Sequence, residues 1–500
     1  MLKPAALFTD GAVLCRNKEI RVFGEADSGA EVSVCLLDRN GNALAEGACR
    51  SDGRFLVSLC PQQAQAGCRL VIRCGMEQAE AADVAIGEVF LAGGQSNMEL
   101  ELRNADEGAG IIKDYNDPLL RFFNVPKIAI AGPEHRKAND GTRWHAIAPG
   151  QGGENSAVAY FFAAKLRERM PEVPVGIIGC YWGGTSVTCW MEEETLRTTA
   201  EGTRYLEEYA AQCAGITMEA WLEKDKVFWE TLNAWDKAVA EYQQAHPGAE
   251  WREVEGVCGP APWNPPLGPG SPFRPAGLAV TMVREVVPVT LTGILYYQGE
   301  QDAEATDRYD ELMKLLIGAW RELFRDSGLP FLFVQLPMWL NWYAEDLRSW
   351  AKLRLAQAKA RDEAENAGMI CLLDQGEYGN IHPTAKRPVG ERLAELAGAM
   401  IYGKGEVSPR ALGTETEGDT LVVRLSAPVR TPGGEAPNLL ETAGEDGVYV
   451  PAKAEIRGDT LRLTAESVSR PAHARYAWTD YSDKVNLFGE NGLPLEPFDL

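Results

Sequence analysis

Residues 84–104, VAIGEVFLAGGQSNMELELRN, restrict the fold more than any other stretch of the chain. Residues 84–92 form an apolar, β-branched run with the length of a buried strand. Gly93 and Gly94 punctuate it, and Met98, Glu99 and Leu100 open a helix-compatible segment. Ser96 is therefore expected in a tight strand-to-helix turn at the C-terminal edge of a sheet, where open α/β sheets place their ligands. The glycines permit a sharp turn, and amides at the helix start point at whatever binds there. Such a turn suits an exposed nucleophile beside N–H donors, and equally a serine that only caps a helix.

A chain of 500 residues exceeds one hydrophobic core, so two to four domains are expected. At 45% hydrophobic and 24% charged, the composition is that of an ordinary globular protein. A net charge of -23 argues against nucleic acid and an anionic membrane surface as partners, because nothing offsets phosphate repulsion. The opening residues MLKPAALFTDGAV lack the apolar core of a secretory signal, and no stretch has the length of a membrane span. The expected location is the cytoplasm. Eleven cysteines without a CxxC pair then read as reduced thiols, and no structural zinc site is expected.

Short strand-like runs joined by turns over residues 1–83 predict a small β-sandwich that packs against the rest or faces a sugar. From about residue 84 to 404, strands alternate with helices, the signature of a parallel sheet covered on both faces. Residues 195 to about 275 fit this alternation poorly. They read as an insertion, helical and charged at first and dense in proline and glycine at its end. Residues 405–500 return to short strands and predict a β-rich C-terminal segment.

Turns that follow parallel strands share one sheet edge, so their side chains converge. Those turns hold Ser96, Gly183 and Gly184, Gln298 with Glu300, and a loop carrying His382. These are the parts of acyl transfer: a hydroxyl, a base, and donors for a tetrahedral oxyanion. Of the five histidines only His382 directly follows a predicted strand of the α/β region. Glu300, Asp302 and Asp310 offer a rival reading as a metal or paired-carboxylate site, which leaves Ser96 and the Gly-Gly turn without a role. Trp182, Trp190, Trp339 and Trp342 are candidates for stacking on a sugar ring or for ordinary packing.

Gly94-Gln95-Ser96-Asn97-Met98-Glu99, Trp182-Gly183-Gly184-Thr185, Tyr297-Gln298-Gly299-Glu300 and Ile381-His382-Pro383 occur in that order. With Leu7-Phe8-Thr9-Asp10-Gly11, Gly87-Glu88-Val89-Phe90, residues 156–162, residues 389–394 and Asn491-Gly492-Leu493-Pro494, they extend nearly end to end. In this combination the chain resembles the sialate O-acetylesterases, a branch of the SGNH/GDSL hydrolase superfamily. The resemblance implies a three-layer α/β/α core with Ser96 as nucleophile and His382 as general base. It also implies an oxyanion hole of the Ser96 amide, a glycine of the 183–184 turn (Gly184) and the Gln298 side chain, and no metal or organic cofactor. The implied reaction removes O-acetyl groups from sialic acid.

Two departures stand out. Asn380 occupies a position where the family usually has aspartate, so the group that orients His382 is Asn380 itself, Glu377, Asp374 or Glu300, or the pair works as a dyad. Residues 273–280 replace a segment that usually carries Tyr-Asn, and Arg274 there is a candidate for the sialate carboxylate, with Trp182 as a second substrate contact. The expected activity is a cytoplasmic serine esterase acting on O-acetylated sialic acid. An acetyl-xylan or other carbohydrate esterase, and a non-catalytic carbohydrate-binding protein on the same scaffold, are the alternatives.

Overall fold

The computed structural model describes residues 1–263 and 265–500. At its centre is the 18-residue strand Glu77–Gly94, buried at every position from Val84 onward. Val175–Tyr181 and Gly293–Tyr297 pair with it in parallel, one on each side, and Tyr181, Gly94 and Tyr297 end at one level. Beyond them Asp117–Asn124 lies on one flank, and Phe331–Val334 followed by Ala367–Ile370 on the other, all parallel. The chain fills one flank first and then crosses to the other. Strand order thus reverses at Glu77–Gly94, and a crevice opens beyond its C-terminal end.

The sheet is mixed, which corrects the expectation of a parallel one. His145–Ile147 adds an antiparallel edge to Asp117–Asn124, and residues 77–86 of the central strand pair antiparallel with Gln65–Cys74. The Asp117–Asn124 strand escaped sequence reading because Pro118 and Arg121 interrupt its apolar run; Arg121 is buried and donates to the carbonyl of Gly11.

Val175–Tyr181, Gly293–Tyr297 and Phe331–Val334 are buried throughout, so both faces of the sheet are covered there. Ser156 caps Ala157–Arg169 by accepting from the Ala159 amide at 3.1 Å. Arg387–Ile401 packs on that helix where Gly390 lies against Phe161 and Val158. Tyr309–Leu323 buries Tyr309, Leu312, Met313, Leu316, Ile317 and Trp320, one face at helical spacing, and packs beside Ser349–Glu363.

Residues 1–76 supply two antiparallel layers. Leu2–Pro4, Ile20–Ala26 and Arg54–Leu59 form one, while Ala43–Arg50, Glu31–Leu37 and Gln65–Cys74 lead into the central strand. Val32, Val34 and Leu36 alternate inward along their strand and join one continuous core with Val89, Phe90 and Leu91. Residues 411–499 form further β-sheets whose core, including Leu421, Val423, Leu461 and Tyr476, also takes in Met338, Cys371 and Leu373 of the α/β region. Residues 195–275 are three helices, Ala200–Gln212, Met218–Ala245 and Trp251–Cys258, followed by the proline-rich loop. All eleven cysteines are free. Among the described residues, no helix is long and apolar enough to cross a membrane.

Candidate active site

Gly94 ends the central strand at φ +132°, and a Cβ there would lie 2.0 Å from the Tyr297 carbonyl oxygen, so only glycine fits. The Gln95 amide then donates to that carbonyl at 3.0 Å, and Ser96–Glu99 makes a single helical turn with Ser96 as its first residue. This places the Ser96 hydroxyl at the edge where strand order reverses. The loop after Ala367–Ile370 brings His382 to the same point. Ser96 Oγ and His382 Nε2 are 2.8 Å apart across 286 residues of sequence, and the imidazole is open to solvent at the mouth of the crevice. In this geometry Nε2 can accept the hydroxyl proton when the imidazole proton sits on Nδ1.

Asn97, next to the serine, ties the two loops together. Its amide nitrogen donates to the Ile381 carbonyl at 3.0 Å and to Glu300 Oε1 at 2.6 Å, and its oxygen accepts from Lys386 Nζ at 2.6 Å. Asn97, Glu300 and Lys386 are all buried. Burial pushes the Lys386 ammonium down to about 7, while Glu300 and Glu377 pull the other way. Burial pushes the Glu300 carboxyl up, with the Asn97 hydrogen bond opposing. Although His382 keeps an exposed edge, the protein packed around it desolvates the imidazole, and this, then the Lys386 charge, holds it below its ordinary range. The imidazole is therefore neutral at pH 7, the state in which such a ring can take a proton.

None of the groups expected to orient the imidazole reaches its ring. Asn380 Oδ1 accepts the backbone N–H of His382 at 3.0 Å, and its amide donates to Glu377 Oε2 at 2.8 Å. This pair shapes the loop rather than the ring. Asp374 is held by Arg392 through bonds of 2.7 and 2.6 Å, and Glu300 by Asn97. Among the described residues no carboxylate bonds His382 Nδ1, so the Ser96–His382 contact has no third member.

The oxyanion donors also differ from expectation. Gln298 is buried, and its side-chain nitrogen donates to Gln95 Oε1 at 3.1 Å, the Thr185 carbonyl at 3.1 Å and Asp302 Oδ2 at 2.6 Å. Its oxygen accepts from Tyr309 at 2.8 Å. Both amide protons are thus spent on the frame, which corrects the assignment of Gln298 to the oxyanion hole. The Gly183 amide donates to Glu99 Oε2 at 2.5 Å, and Glu99 also pairs with Lys127. The amides of Ser96 and Gly184 have no protein acceptor among the described residues and are the donors left for an anion.

Arg274 donates through Nη1 to the carbonyls of Ala129 and Ser271 at 3.1 and 3.0 Å, which ties its guanidinium to the loop. Trp182 is half-buried beside Gly183, with Lys127 Nζ 5.9 Å from its ring centroid. The acidic alternative dissolves into separate roles. Asp302 accepts from Ser186, Val187 and Tyr205, and Asp310 pairs with Lys359 at 2.8 Å. His135 is buried against the Thr281 carbonyl at 2.7 Å. A cavity of about 1150 Å³ lies apart from the crevice, lined by residues such as Phe23, Phe55 and Arg284 and by none of the site residues.

Asn97 and Lys386 went unmarked in the sequence. A glutamine at a strand end looked like a donor, whereas the asparagine after the serine and the lysine four residues beyond His382 gave no spacing signal.

Residues 274–398 match the family model for the carbohydrate esterase, sialic acid-specific acetylesterase. The chain is 26% identical over 347 residues to the sialate O-acetylesterase of Mus musculus and 23% identical over 351 residues to that of Homo sapiens. Each match covers 64% of this chain but only 58% and 55% of those proteins, so the chain spans less than two thirds of their length. A carbohydrate acetylesterase from Xanthomonas citri is similar over its whole fold, with a TM-score of 0.78 and 28% identity across 100% of this chain and 99% of that one. On these matches, the chain is similar to the sialate O-acetylesterases in sequence and to a carbohydrate acetylesterase in fold.

Proposed function

We propose that the protein is a serine esterase that removes O-acetyl groups from sialic acid or a related acetylated sugar. The observation that carries this reading is the 2.8 Å contact between Ser96 Oγ and His382 Nε2 at the reversal of strand order, beside the unengaged Ser96 and Gly184 amides. Ser96 Oγ attacks the acetyl carbonyl while His382 Nε2 takes its proton. The tetrahedral oxyanion is held by the two amides, and the imidazolium returns the proton to the departing sugar oxygen. Water, deprotonated by the same imidazole, then hydrolyses the acetyl-serine to acetate.

The arrangement of covered sheet and edge loops is read as the three-layer α/β/α core of the SGNH hydrolases. Domain limits of 1–83, 84–404 and 405–500 are retained as part of this proposal, although the central strand runs unbroken through residue 83. One observation favours a neutral acetylated sugar, such as a xylo-oligosaccharide, as a second reading. Arg274, the cation assigned to a sialate carboxylate, has its Nη1 held by the carbonyls of Ala129 and Ser271, which limits how it can turn toward a substrate carboxylate. Acetate release from O-acetylated sialic acid and from O-acetylated xylobiose, each with wild type and Ser96→Ala, tests both. Release from the first alone supports the sialate reading, and release from the second alone supports the neutral sugar.

A further inference from the structure

The proline-rich loop of the 195–275 insertion lies against the turn that flanks the nucleophile. Gly184 has φ +71°, and a Cβ built on it would fall 2.1 Å from Trp263 Cζ2 and 3.2 Å from Phe273 Cε1. The indole therefore rests directly on Gly184. The neighbouring Gly183 abuts the serine, its added Cβ lying 3.3 Å from Ser96 Cβ. One residue of backbone separates the ring from the nucleophile.

Trp263 is fixed there. Phe273 and Phe228 meet it edge-on, with centroids 5.7 and 5.9 Å away. The loop is pinned to the insertion helices by Trp221 Nε1 to the Pro266 carbonyl and Tyr209 Oη to the Gly268 carbonyl, each at 2.9 Å. Yet Trp263 leaves 43% of its surface open, an unusual exposure for a large apolar ring held by so many contacts. The insertion also reaches the His382 loop, where Arg252 lies 5.5 Å over the Trp342 ring and Trp342 packs on Gly379.

We propose that Trp263 is the sugar-reading residue of this site: its exposed indole stacks on the pyranose ring of the O-acetylated substrate and holds the acetyl group over Ser96. An aromatic face favours the C–H-rich face of a sugar ring, and a pre-fixed indole loses little entropy on binding. The inference rests on the esterase reading above and concerns the class of alcohol rather than the chemistry.

Steady-state kinetics with Trp263→Ala and Trp263→Phe test it on O-acetylated N-acetylneuraminic acid, O-acetylated xylobiose and ethyl acetate, which has the ester and no ring. Trp263→Ala is expected to raise KM for the better sugar about tenfold while kcat stays within about twofold, with ethyl acetate unaffected and Trp263→Phe close to wild type. Equal loss on sugar and ethyl ester, or an unchanged sugar KM, overturns the proposal. Binding of the same sugars to Ser96→Ala and to Ser96→Ala/Trp263→Ala, followed by NMR titration, separates the two claims. A tenfold weaker double variant supports the platform even where the wild type fails to turn over and the esterase reading falls. Equal binding overturns the platform while leaving that reading intact.

Discussion

Asn97 Nδ2 donates to the Ile381 carbonyl at 3.0 Å, which joins the residue after Ser96 to the residue before His382. Glu300 and Lys386 occupy the other two polar positions of the same amide, so the asparagine has one orientation that satisfies all three. The link sets the separation of Ser96 and His382 without touching either reacting atom.

Asn97→Leu is accordingly expected to lower kcat about 10²-fold with KM little changed, because loss of the link lets two loops drift relative to each other. Stopped assays for acetate at saturating substrate measure it. A variant that folds and keeps wild-type kcat contradicts the positioning role.

Lys386 contributes a charge as well as a hydrogen bond. A cation near an imidazole disfavours imidazolium, so it lowers the His382 pKa; removing it raises that pKa. The neutral base is required, and activity is lost as pH falls through the pKa. The acid limb of kcat/KM is expected to lie below the ordinary histidine value of about 6.5, displaced toward 4. Lys386→Met is expected to move it up by about one pH unit, with Glu300 and Glu377 as the remaining nearby charges. A limb that stays in place or moves down contradicts this.

Asn380→Asp does not complete a triad here, because the side chain faces the His382 backbone N–H and Glu377 rather than the ring. A second carboxylate beside Glu377 repels it, and kcat is expected to fall about threefold. Adding Glu377→Gln is expected to restore it. A tenfold gain from Asn380→Asp alone shows instead that the aspartate reaches Nδ1.

Gly94→Ala meets the Tyr297 carbonyl at 2.0 Å in a left-handed backbone conformation. A loss of about 3 kcal/mol or more in urea unfolding is expected, since the contact is backbone in a fully buried sheet and cannot rotate away. Wild-type stability contradicts the close approach at the strand end.

The approach of Ser96 to His382 was legible in sequence because Ser96 directly follows the central strand and His382 lies in the loop after Ala367–Ile370, and strand ends in such a sheet converge. The same logic misread Gln298. A strand-end glutamine points to the crevice or to the frame according to its neighbours, and Asp302 draws its amide inward. Asn97 and Lys386 were illegible because their partnership spans 289 residues and obeys no local period. Trp263 was hidden for another reason: proline and glycine mark a loop without saying where it lands. The antiparallel edge and the continuous core between the N-terminal sheets and the α/β region were likewise set by pairing across long separations.

The most direct measurement is labelling by a fluorophosphonate followed by peptide mapping, alongside acetate release by wild type, Ser96→Ala and His382→Ala. The expected result is one adduct per chain, on Ser96, with acetate release reduced about 10⁴-fold in Ser96→Ala and at least about 10²-fold in His382→Ala. An adduct on another serine, or a Ser96→Ala protein that still releases acetate at the wild-type rate, contradicts the account.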